Sequence, residues 1–61
     1  MHKEEIVDFI IKSITDDYYE LGQGSGMQKE QVDQIVDQSN QTIVYIASGL
    51  YSRLKENNLL V

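Results

Sequence analysis

The chain contains no cysteine and no proline, a single histidine and half as many basic residues as acidic ones. Without cysteine no disulfide and no thiolate metal site can form, which fits a reducing compartment. Without proline the strongest helix breaker is missing. The histidine, His2, stands next to the N-terminus with no fixed neighbour to make it a base. The longest apolar run, Ile43-Val44-Tyr45-Ile46-Ala47, is about a quarter of a membrane span. The opening Met-His-Lys-Glu-Glu leads into a charged amphipathic stretch, which is not the layout of a signal peptide. The expected location is the cytoplasm, or a host cytoplasm if the chain is viral.

What is present is acid. Ten Asp and Glu face five Lys and Arg, a net charge of -5. Phosphates repel such a surface, which argues against direct nucleic-acid binding, and anionic membranes are disfavoured for the same reason. A protein partner with a basic patch is compatible with it. Sixty-one residues make one domain. A chain of this size buries only about 60% of its unfolded surface, and its core rarely yields more than about 3–5 kcal/mol. Disulfides and thiolate metal sites being excluded, oligomerisation is the support left.

The spacing of apolar residues predicts two helices of unequal length. In the first, 3–21, Ile6, Ile10, Ile14 and Tyr18 recur every four residues, widened by Val7, Ile11 and Leu21, with Phe9 on the flank. Glu4, Asp8, Lys12, Asp16 and Glu20 run along the other side, and Lys12 can pair with Asp8 or Asp16. A turn over 22–26 follows, in which Gly22 is suited to the left-handed C-terminal position and Ser25 with Gln28 resembles a capping box. The second helix, 27–58, carries Val32, Val36, Ser39, Ile43, Ile46, Leu50 and Leu54 at alternating three- and four-residue steps. Thr42 to Ile46 has strand-forming residue types, but it lacks turn signals and a partner strand.

Folding these helices back to back sets Leu21 near Met27 and Lys3 near Tyr45. The expected result is an all-α, two-helix hairpin whose longer helix overhangs. From Thr42 to Tyr51 the longer helix is apolar or small almost all round, so two chains are expected to dimerise through it, antiparallel, into a four-helix assembly. Its expected interface is Ile43, Ile46, Ala47, Gly49, Leu50, Tyr51 and Leu54. Gly49 within a helix costs about 1 kcal/mol relative to alanine, which a close helix crossing would recover. Tyr45 and Tyr51 suit an interface because a tyrosine buries its ring and keeps a polar tip. The tail Leu59-Leu60-Val61 either packs on the partner subunit or serves as a short recognition motif.

No constellation for chemistry emerges. Gly22, Gly24 and Gly26 lack the lysine and the preceding strand of a phosphate-binding loop. Asp16, Asp17 and Glu20, with Asp33 and Asp37, have neither calcium-loop spacing nor the Glu-x-x-His pairs of di-metal bundles. Ser13, Ser39, Ser48 and Ser52 have no base beside them. The expected function is therefore non-enzymatic: a small acidic modulator, inhibitor or adaptor without a cofactor, acting as a homodimer. Its partner-binding residues are expected among Glu4, Asp8, Asp16, Asp17, Tyr19 and Glu20. The alternatives are a structural subunit of a larger homo-oligomer and a carboxylate metal-binding protein.

Overall fold

A computed structural model describes residues 2–60. Val61 of the expected tail lies outside the described residues. The chain is all-helical, with no strand among the described residues, so the stretch around Thr42–Ile46 is helix. It forms three helices where two were expected: α1 (Lys3–Gly24), α2 (Lys29–Gln38) and α3 (Asn40–Glu56).

The first helix runs past Leu21 because nothing stops it there. Gly22 keeps helical geometry, and the left-handed residue is Gly26, at φ 79°. The Met27 N–H donates to the Gly22 carbonyl at 2.9 Å and the Gly26 N–H to the Gln23 carbonyl at 3.1 Å. This pair of bonds is the Schellman closure, and only glycine adopts that backbone without strain. The cap of α2 is Gln28 rather than Ser25: the Gln28 N–H donates to Gln31 Oε1 at 3.1 Å. The same closure ends α3, with Leu59 N–H on the Leu54 carbonyl at 2.9 Å and Asn58 at φ 55°. Asparagine tolerates that conformation better than any other residue except glycine.

The break between α2 and α3 falls on Ser39, whose backbone sits at φ −93°, ψ 2°. Neighbouring bonds survive it: Ser39 N–H donates to Ile35 O, and Ile43 N–H to Ser39 O, each at 2.9 Å. The chain therefore carries on past the break without reversing.

Helix α1 lies along both α2 and α3. Gly22 sits against Val32 at one end, and the Lys3 ammonium lies 5.5 Å from the Tyr51 ring centre at the other. These contacts fix one antiparallel register, in which Ile10 stands level with Val44 and Asp8 with Ile46. The expected overhang beyond Tyr45 is thereby corrected: α1 reaches Tyr51. The cause is the length of α1. It runs three residues beyond Leu21, to Gly24, before Ser25 to Gln28 reverse the chain, so the second arm starts later and is drawn back along the first. The core is thin. Among the described residues Val32, Ile43 and Ala47 are the buried hydrophobic ones, joined by Gly22. The molecule measures 39 × 20 × 16 Å.

Candidate interaction surface

Two sides of this two-layer structure differ in chemistry. The first is marked by a polar clasp. The Tyr19 hydroxyl donates to Asp33 Oδ1, and the Lys29 ammonium approaches Asp33 Oδ2 at 3.0 Å. These two donors hold the Asp33 carboxyl below its ordinary value, the tyrosine bond contributing most. The same bond raises the Tyr19 phenol, and Asp33 raises Lys29. Further along this side Lys3, Glu4, Val7, Asp8 and Ser48 line a shallow open groove. This flank is held by the clasp at one end and is mostly polar, with Val44 its exposed apolar residue at 39%.

At about 100° per residue, the residues across the core from Tyr19 on α1 are Ile6, Ile10, Asp17 and Leu21. Those across from Asp33 on the second arm are Ile35, Ser39, Thr42, Ile46, Gly49 and Arg53, again at alternating steps of four and three. Among the described residues this second stripe is only partly covered, with Ile6, Ile10, Ser39 and Gly49 half-buried. Leu21 is 72% exposed, Ile46 42% and Ile35 38%. Away from both flanks, on the outer faces, stand Phe9 at 69% and Tyr45 at 81%.

The residues expected at a dimer interface are thus divided. Ile43 and Ala47 are buried under the chain's own α1, at 1% and 0% exposure, and cannot meet a partner while α1 is docked. This corrects their assignment, which rested on the overhang. Leu50, Tyr51 and Leu54 are half-buried, with Tyr51 engaged by Lys3. Ile46 is open, and Gly49 is half-buried.

The expected partner-binding set is divided as well. Glu4, Asp8, Asp16, Asp17 and Glu20 are exposed, while Tyr19 is half-buried and bound to Asp33. Asp16 pairs with Lys12 at 2.9 Å, one of the two pairings open to that lysine. Asp16 and Glu20 share the outer face of α1 with Phe9, Asp17 belongs to the apolar flank, and Glu4 and Asp8 border the Ser48 groove.

Sequence reading missed Ile35 and Leu21 as exposed apolar residues. The available signal was the breadth of both stripes, each wider than one neighbouring helix can cover. Among the described residues, no three His, Cys, Asp or Glu side chains gather in a way that could hold a metal ion. No helix among them is long and apolar enough to cross a membrane. No protein-family model, no curated protein and no solved structure matches this chain.

Proposed function

We propose that this is a small acidic protein-binding module that acts as a homodimer and performs no catalysis. The observation that supports it is surface area. The chain exposes 4979 Å² at a mass of 7.0 kDa. A compact monomer of that mass exposes about 4,000 Å². The surplus, about 1,000 Å², is comparable to the roughly 800 Å² that each partner contributes to a standard protein interface. Part of it reflects the elongated shape: the radius of gyration is 13.3 Å, against about 10.5 Å for a compact chain of this length. Two such bodies, each with α1 against the α2–α3 arm, would pair into an assembly of four rods.

In this reading the apolar flank joins the two copies. The outer face of α1 is left for a different protein. There Phe9 shares a face with Asp16 and Glu20, about 10 and 16 Å further along the helix, and an apolar residue with acids on the same face suits a partner with a basic patch. Sedimentation equilibrium at micromolar concentration tests the dimer: a folded 7 kDa species refutes it, and a ring or filament favours a structural subunit instead. Affinity capture with the chain as bait tests the partner. Asp16→Lys with Glu20→Lys should abolish capture, and retention of the same protein by that double variant refutes the acidic docking face.

A further inference from the structure

We infer that a second copy of this chain, turned end for end, covers the flank formed by Ile10, Asp17, Leu21, Ile35, Ile46 and Gly49. This rests on the dimeric reading above and specifies its contact face and its polarity.

The first support is Gly49. A glycine inside a helix needs a reason, and Gly22 has one: a Cβ there would collide with Val32. Among the described residues Gly49 has none. A Cβ on it would meet only the tip of Arg53, with Nη1 at 3.5 Å, an ordinary contact with a flexible side chain. The cost of glycine at this position is recovered if another backbone approaches it.

The second support is the symmetry of the stripe. Ser39 and Arg53 each lie seven residues from Ile46, and Thr42 and Gly49 lie four and three residues from it. Reversing the stripe about Ile46 sets Ile46 on its own copy and Gly49 beside the second copy's Thr42, small against small. On α1, Asp17 and Lys3 lie seven residues either side of Ile10. Ile10 and Ile46 stand at nearly the same height in the register, so one two-fold axis serves both helices. It brings Asp17 to the level of the second copy's Lys3 and Arg53.

The third support is charge. Residues 16–37 carry six acids and one lysine, whereas the remaining residues balance four acids against four bases. The net charge of -5 therefore sits entirely at the turn end. Parallel pairing would stack two such ends. End-for-end pairing places each beside a neutral end holding Lys3, Arg53 and Lys55.

The absence of native cysteine makes the test direct. Ile46→Cys lies near the proposed axis and should oxidise to a covalent dimer under mild conditions. Tyr45→Cys, one residue away on the outer face, should stay monomeric in denaturing electrophoresis. In the cysteine-free chain Gly49→Leu should weaken association at least tenfold by sedimentation, with helical content retained by circular dichroism, while Tyr45→Leu leaves it unchanged. If the chain dimerises but Tyr45→Cys cross-links and Ile46→Cys does not, the dimer stands and this face is refuted. If Gly49→Leu associates like the unmodified chain, the face is refuted whatever the cysteine variants do. A monomeric unmodified chain removes both readings.

Discussion

Replacing Gly22 with alanine sets two known effects against each other at one site. Alanine is favoured over glycine inside a helix by about 1 kcal/mol. Here the added Cβ would fall well inside van der Waals contact of Val32 Cγ2, with Val32 Cβ and Cγ1 at 3.5 and 3.6 Å. Valine in a helix has essentially one side-chain rotamer, so Val32 cannot swing aside. Helices α1 and α2 must separate, and overpacking of this kind costs about 1–3 kcal/mol. The net expectation for Gly22→Ala is a loss of about 1 kcal/mol, or about 4–8 °C in melting temperature for a domain of this size. Gly24→Ala is the internal control. It lies in the same helix, nothing stands within 4 Å of its Cβ position, and it should gain about 0.4–1 kcal/mol. Adding Val32→Ala to Gly22→Ala should cost less than the two single effects combined, by about 0.5 kcal/mol or more. Thermal and urea unfolding followed by circular dichroism measure all four variants at one protein concentration, because a dimer's stability depends on it. If Gly22→Ala and Gly24→Ala shift stability in the same direction, the reasoning about the crossing is wrong.

The remaining predictions concern the clasp and the turn. Tyr19→Phe and Asp33→Asn should each lower the urea midpoint, and the double variant should lose less than the two combined, since both remove the same bond. The Asp33 value is depressed in the folded chain, so its contribution is fully present above the ordinary carboxylate value and is lost as pH falls through the native one. The Tyr19 value is raised, so its contribution is present below the ordinary phenol value and is lost as pH rises through the native one. Urea midpoints across pH should therefore fall more steeply at both extremes for the unmodified chain than for Tyr19→Phe with Asp33→Asn, and parallel profiles would refute the assignment. Gly26→Ala forces a side chain into left-handed backbone at φ 79° and should cost about 1–2 kcal/mol, whereas Asn58→Gly at φ 55° should be neutral or better by the same unfolding assay.

The sequence made the helical class and the amphipathic stripe of α1 readable because both follow from spacing alone. The stripe through Val32, Val36, Ile43, Leu50 and Leu54 likewise marks the side that α1 covers. Three features escaped it. Gly22 looked like a turn glycine because left-handed backbone is the commonest use of a glycine near a helix end. Its use here depends on Val32, ten residues further on, and no local pattern reports that. Ser39 is the polar residue in an otherwise apolar spacing, but the change it brings lies in its own backbone angles. The register escaped because it depends on where α1 stops, and its three further residues to Gly24 shift every later pairing. That error moved the boundary of the covered stretch from Tyr51 to Tyr45 and placed Ile43 and Ala47 at an interface between chains. The exposed acids and Ile46 were legible as surface. That Ile35, Ile46 and Gly49 form a separate stripe emerges only once α1 has been assigned to the other.

The interruption at Ser39 also divides the molecule mechanically. A ten-residue α2 is too short to persist as an isolated helix in water. It is held chiefly by Val32 under Gly22 and by the clasp through Asp33. The α1–α3 pair keeps its own buried residues, Ile43 and Ala47. The turn end can thus fray as a unit while the opposite end stays folded, at a free energy below that of global unfolding. In that frayed state Val32 and the Gly22 backbone come into solvent beside the most acidic part of the chain, a surface the closed form does not present.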